Sequence, residues 1–335
     1  MKNEELRMKK LLKKTLKLIL PVVLGGFILF WVYRDFDFTK AGDVLLHGTN
    51  WWWMLFSLVF GVFAQVFRGW RWRQTLEPLD AFPKKSDCVN AIFISYAASL
   101  VVPRIGEVSR CGVLAKYDNV SFAKSLGTVV TERLVDTLTI LLITGITVLL
   151  QLPIFVTFLQ QTGTKIPSLV HLLTSVWFYI ILFCFIGVAI LLYYLRKTLF
   201  FYERVKGFVL NIWEGIMSLK GVRNIPLFIF YTLAIWACYF LHFYFTFYCF
   251  AFTAHLGILA ALVMFVGGTF AVIVPTPNGA GPWHFAIISM MMLYGVNVTD
   301  AGIFALIVHG IQTFLVVLLG IYGFAVLSFT NRHRG

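Results

Sequence analysis

Six stretches of this chain are apolar for about the thickness of a bilayer, near residues 17-33, 51-67, 127-150, 173-195, 226-252 and 300-328. A helix needs about 20 apolar residues to cross the hydrocarbon. Two further apolar windows, 88-102 and 257-295, are broken from within, by Val102-Pro103-Arg104-Ile105-Gly106-Glu107 and by Pro275-Thr276-Pro277-Asn278-Gly279-Ala280-Gly281-Pro282. Backbone groups freed inside a bilayer have no water to bond, so irregular chain survives there only against protein or a wet cavity. One break in each half of the chain is the pattern of a transporter-like fold with its binding site near the midplane.

The hydrophobic fraction of 59%, the charged fraction of 13% and the mean hydropathy of +0.84 lie outside the range of soluble domains. The windows have helix length and lack the alternation of barrel strands. The expected fold is an all-α polytopic membrane protein of about six full spans plus two re-entrant broken-helix hairpins, with eight membrane helices as the alternative. Residues 1-17 carry Lys9, Lys10, Lys13, Lys14 and Lys17 ahead of an apolar run, but no small-residue cleavage site follows before Tyr33. An uncleaved first span with a basic, amphipathic cytoplasmic start is expected. The five cysteines form no Cys-x-x-Cys pair that would suggest zinc or redox chemistry, and without a phosphate-cradling ATP motif no cofactor is implied. No repeat or linker divides the chain, which reads as a single membrane domain over 1-335.

The net charge of +13 comes from topology rather than from nucleic-acid binding. Seven Lys/Arg fall in residues 1-17, ten in 68-133, six in 196-223 and two in the tail, 25 of 28 on one side if both termini are cytoplasmic. Only Arg34, Lys40 and Lys165 fall opposite. A full crossing at 88-102 would export Arg104, Arg110, Lys116 and Lys124, so this segment enters and leaves from the cytoplasmic side. By the same count 257-295 enters and leaves from outside, which suggests an inverted arrangement. Residues 199-222 alternate Phe201, Val205, Phe208, Ile212, Ile216 and Leu219 with charges at helical spacing, as an interfacial helix or a cytoplasmic extension of a span would.

Four constellations can carry chemistry. Arg68-Gly69-Trp70-Arg71-Trp72-Arg73 follows the second window, where guanidiniums such as Arg71 and Arg73 can hold phosphate while indoles fix depth; a plain anchor is the competing reading. Arg104 costs about 2.5-3.5 kcal/mol at membrane depth, so it needs a partner. Glu107 and Arg110, one and two turns on, give a candidate Arg-Glu-Arg ladder, and a helix starting near Ile105 adds an anion site suited to a lipid phosphate. Glu132 and Asp136 share a helix face beside Arg133 and can answer Arg104 or Arg110. They evoke acid-base hydrolysis, but no nucleophile or metal set accompanies them. In the second break, Asn278 can cap, Gly279 and Gly281 allow close approach, and Pro282 suits a first helical turn. The histidines His242, His255, His284 and His309 lack ligand spacing and read as buried hydrogen-bonding residues.

Taken in order, Arg71-Trp72-Arg73, Pro103-Arg104-x-Gly106-Glu107-x-x-Arg110, Glu132-Arg133-x-x-Asp136 and Pro275-x-Pro277-x-Gly279-x-Gly281 resemble the flippase-like membrane region of the lysylphosphatidylglycerol synthase family. The resemblance implies movement of an aminoacylated phospholipid to the outer leaflet. It departs at two points. The chain ends at Gly335 with no room for a soluble aminoacyl-transferase domain, so synthase activity is not expected. Asn278-Gly279 and His284 stand where the family often has Gly-Gly and a glutamate.

The expectation is therefore a lipid flippase-like or lipid-binding transporter of the bacterial inner membrane rather than an enzyme, taking an anionic or aminoacylated phospholipid headgroup, or a polyprenyl lipid. Headgroup contact falls to Arg104, Arg110, Arg71 and Arg73, with Glu107, Glu132, Arg133 and Asp136 as charge partners, and Pro275, Pro277, Asn278, Gly279, Gly281 and His284 form the second hairpin. The alternatives are a membrane-embedded lipid-modifying transferase with Glu132 or Asp136 as base, and an accessory lipid-binding subunit. A partner enzyme or a homo-oligomer is left open.

Overall fold

The computed structural model describes residues 19-153 and 221-330, and these are helical with no strand among them. Helix α1 is Ile19–Tyr33, α2 Phe38–Asp43, α3 Trp51–Leu76, α4 Lys85–Val101, α5 Ile105–Tyr117, α6 Phe122–Leu150, α7 Ile225–Tyr244, α8 Ile258–Ala271, α9 Pro282–Leu293 and α10 Val298–Thr330. Among the described residues α3, α6, α7 and α10 are long and apolar enough to cross a membrane, and α1 joins them only if it and the helix after it are one bent span. The windows at 51-67, 127-150, 226-252 and 300-328 thus correspond to crossing helices. The window at 173-195, the basic start at 1-17 and the candidate interfacial helix at 199-222 fall outside the described residues, apart from the last two positions of that helix, Gly221 and Val222.

Local chemistry sets the helix ends. Asn50 and Asn224 accept from the amides of Trp52 at 3.2 Å and Leu227 at 3.0 Å, capping α3 and α7. The 97° bend after α1 follows Arg34-Asp35, and Asp37 caps α2 by accepting from the Lys40 amide at 2.9 Å. The window at 17-33 is therefore the first limb of a bent pair.

Both broken windows fold as helix, break, helix. Val102 is extended, as the residue before a proline is, and Arg104 turns the chain with φ 66° before α5 begins at Ile105. The second break runs from Val272 through a single turn at Pro277–Gly279 to Gly281, whose φ of 93° only glycine adopts freely. Helices α4 and α5 pack against each other, and so do α8 and α9.

The bases of the two hairpins lie at opposite ends of α3. Trp72 and Leu76 share a core with Cys88, Ala91, Cys111 and Leu114 of the first hairpin, whereas Met54 shares one with Ala261, Met264, Ile287 and Met291 of the second. Helix α10 repeats this division: Ala301, Phe304 and Val308 join the second core, and Gly320 and Gly323 lie against Ala97 and Asn90 of α4. The hairpins therefore approach from opposite ends of the bundle, and their bends meet in its middle, where the Arg104 guanidinium donates to the Ile273 carbonyl at 3.3 Å.

Helix α3 runs to Leu76, well past its apolar window, because its last turns are buried against α4 and α6. A side chain at Gly69 would bring its Cβ within 2.7 Å of the Val89 Cα. Gly69→Val is accordingly expected to cost about 2-3 kcal/mol, the upper part of the overpacking range, read as a lower midpoint of thermal unfolding in detergent. An unchanged midpoint would show that α3 and α4 do not cross this closely.

Candidate functional site

Of the arginines after the second window, Arg68 and Arg71 continue α3 into the protein interior, where both are buried. Arg71 is fully buried, and its Nη2 donates to Asp136 Oδ1 at 2.6 Å while Nη1 donates to the Thr232 hydroxyl at 3.2 Å. Its Nε lies 3.7 Å from Glu132 Oε1. Trp72 is buried too, donating to the Thr128 hydroxyl at 3.0 Å. Arg73 faces away, paired with Glu77 at 3.0 Å and donating to the Pro83 carbonyl at 2.9 Å. Arg71 therefore acts as a partner of carboxylates and Arg73 as a staple between α3 and the loop before α4.

Arg68, one turn before Arg71, is the hub that local spacing did not single out. Its Nη2 donates to Asp136 and its Nη1 to the Tyr96 hydroxyl, with Tyr239 Oη at 3.2 Å. The two tyrosine hydroxyls lie 2.6 Å apart. Because Glu132 and Asp136 sit four residues apart on α6, both reach this arginine layer. Asp136 bridges Arg68 and Arg71, and Glu132 pairs with Arg110 of α5 at 2.7 Å. Arg110 also packs over the Trp72 ring, 4.5 Å from its centroid.

The Arg-Glu-Arg ladder along the first hairpin does not form. Arg104 caps α5 in a left-handed conformation and reaches the other hairpin, while Glu107 pairs across to Arg133 of α6 at 3.4 Å. Pairing to α6 satisfies more charge than pairing along α5, since α6 supplies both buried carboxylates.

The second break differs from expectation at its caps. Asn278 does not cap α9; it sits at φ 51° and its Nδ2 donates to the Thr313 hydroxyl at 2.8 Å. The cap is Gly281, whose N–H donates to His284 Nδ1 at 3.3 Å, with Pro282 in the first turn as the sequence indicates. That amide is thereby occupied. His284 is buried and its ring centre lies 4.6 Å from that of His309, whose Nε2 donates to the Asn278 carbonyl at 3.1 Å. His242 donates from Nδ1 to the Ser57 carbonyl at 2.8 Å. All three are hydrogen-bonded, His284 buried and His242 and His309 half-buried, whereas His255 is exposed, against the expectation of a buried residue.

A polar cavity of about 220 Å³ lies where the bends meet, lined by Arg104, Glu107, Arg110, Arg133 and Arg68 on one side and Pro275, Thr276, Asn278 and Gly279 on the other. A second cavity of about 540 Å³ adjoins it. The two share Arg68, Tyr96, Arg133 and Val272, but the larger is walled by Ile140, Leu141, Phe265, Phe270 and Trp283, between α6, α8 and α9. The site thus joins a charged compartment to an apolar one. Pro277, Gly281 and His284 shape the second bend without lining the polar cavity.

No curated protein and no solved structure matches this chain. One family model does, that of the lysylphosphatidylglycerol synthase TM region, over residues 18–320, which include both bends, the arginine layer and the two buried carboxylates. By that match this all-α membrane protein belongs to the family of the lysylphosphatidylglycerol synthase TM region.

Proposed function

We propose that this protein is a flippase-like or lipid-binding transporter of the bacterial inner membrane, with both termini cytoplasmic, which takes the headgroup of an anionic or aminoacylated lipid between the two bends. The observation that carries the reading is the pairing of the two cavities. An ion or a sugar needs only the polar compartment, whereas a lipid needs an apolar annex at the headgroup's side, and the larger cavity supplies one. Arg104 and Arg133, the two less buried guanidiniums of the polar wall, would meet the phosphate. Arg68, Arg71 and Arg110 with Glu132 and Asp136 would hold α3, α5 and α6 in register behind it. The charge bias of the loops supports an orientation with the first hairpin on the cytoplasmic side and the second on the other.

Protein reconstituted in liposomes is expected to speed the transfer of fluorescent phosphatidylglycerol between leaflets, read by dithionite quenching. Arg104→Gln with Arg133→Gln is expected to slow it by about tenfold or more, the loss of one to two charge-assisted contacts. Wild-type protein that neither binds nor moves any lipid ends this reading.

A further inference from the structure

The charges around the bends do not cancel. Among the described residues five guanidiniums gather there, Arg68, Arg71, Arg104, Arg110 and Arg133, against the three carboxylates Glu107, Glu132 and Asp136. Each carboxylate is already ion-paired: Asp136 with Arg68, Arg71 and, at 3.5 Å, Arg133; Glu132 with Arg110 and, at 3.7 Å, Arg71; Glu107 with Arg133. Two positive charges are left over. One belongs to the buried layer, where three guanidiniums share two carboxylates. The other is Arg104, whose bond goes to a carbonyl. The surplus charge of the buried layer is costly until an opposite charge joins it, and Arg104, which is exposed, is free to meet one.

The cavity wall also offers donors that nothing uses. Arg110 is 1% exposed and its Nη1 has no hydrogen-bond partner, and Thr276, 4% exposed, has an unpartnered Oγ1. Both line the polar cavity with Arg104.

We infer that the headgroup this site selects is dianionic, a lipid ending in a phosphate monoester or a diphosphate, in preference to an aminoacylated one. The inference rests on the lipid-binding reading and narrows it. A phosphate monoester carries a charge of about −1.5 to −2 at pH 7 and three strong acceptor oxygens, which matches two surplus positive charges and the two unpartnered donors, Arg110 Nη1 and Thr276 Oγ1. A phosphodiester brings one charge and leaves one guanidinium uncompensated. An aminoacyl headgroup brings ammonium groups into a site where cations already outnumber the carboxylates and each carboxylate is ion-paired.

The test is equilibrium binding to the full chain in lipid nanodiscs at pH 7.5. The probes are phosphatidic acid, phosphatidylglycerol, lysyl-phosphatidylglycerol and glycerol 3-phosphate. Phosphatidic acid is expected to bind about tenfold or more tighter than phosphatidylglycerol, one added charge-assisted contact. Arg104→Gln is expected to remove most of that preference and Arg104→Lys to retain it. Lysyl-phosphatidylglycerol binding as tightly as phosphatidic acid, or a preference unchanged in Arg104→Gln, overturns the inference while lipid binding stands. Glycerol 3-phosphate binding as tightly as phosphatidic acid shows a site for free phosphate and overturns it as well. Failure of all four probes overturns the lipid-binding reading together with it.

Discussion

Asp136→Asn is expected to lose about 3-5 kcal/mol of stability, the range for removing one partner of a buried ion pair, and to leave little folded protein at 37 °C. Asp136 is 6% exposed and is the carboxylate that Arg68 and Arg71 share. Neutralising it strands both guanidiniums in a layer that already has more cations than anions. The exposed analogue sets the scale. Glu107 and Arg133 are paired at 3.4 Å with side chains 41% and 43% exposed, so Glu107→Gln is worth less than about 1 kcal/mol because water screens the pair. The comparison is made on detergent-purified protein by thermal unfolding followed with tryptophan fluorescence. A second substitution separates charge from packing: Arg68→Met added to Asp136→Asn removes one stranded cation and is expected to recover part of the lost midpoint. If Asp136→Asn melts within a degree or two of Glu107→Gln, the arginine layer is hydrated and its pairs carry little energy.

The parts of this arrangement that the amino-acid order shows are those with local causes. Apolar windows give the crossing helices because length alone is decisive in hydrocarbon, and Pro103 and the Pro275 to Pro282 run mark the bends because they remove amide donors where nothing replaces them. Glu132 and Asp136 could be read as one face because four residues make a helical turn. What stayed hidden depends on partners far away in the chain. Arg68 looks like an anchor beside its apolar window, yet its partners are Tyr96, Asp136 and Tyr239, up to 171 positions away. No spacing rule reaches that far. Glu107 and Arg110 were matched to Arg104 by helical spacing, but α6 crosses α5 and offers its own carboxylates, so tertiary pairing displaces the local ladder. The departure of Asn278 from capping has a similar cause, since Thr313 of α10 competes for its amide. The bend after α1 did carry a signal: Arg34-Asp35 followed by a capping aspartate at Asp37 is an end and a restart.

Gly106→Ala is expected to damage the site more than any other single methyl added to the first hairpin. A Cβ at Gly106 would overlap the Ser95 carbonyl oxygen and the Ser99 hydroxyl and would sit 2.7 Å from the Ser95 hydroxyl. The first of these is backbone, so no change of rotamer relieves it, and α5 must move off α4. That displacement carries Arg104, Glu107 and Arg110 together and stretches the bond from the Gly106 amide to Ser99 Oγ, now 3.2 Å. The cost expected from overpacking is about 1-3 kcal/mol, and because Arg110 must stay within reach of Glu132, lipid binding should fall further than stability does. Gly112, two turns along α5, is the matched control, since a Cβ there meets nothing within 4 Å. Gly112→Ala is expected to leave binding unchanged and to raise stability by about 0.5-1 kcal/mol through helix propensity. Thermal unfolding and lipid binding measured on both variants decide the matter. Equal behaviour of the two would mean that α5 is free to shift on α4, and that the Pro103 bend does not hold Arg104 and Arg110 in the fixed relation on which the polar cavity depends.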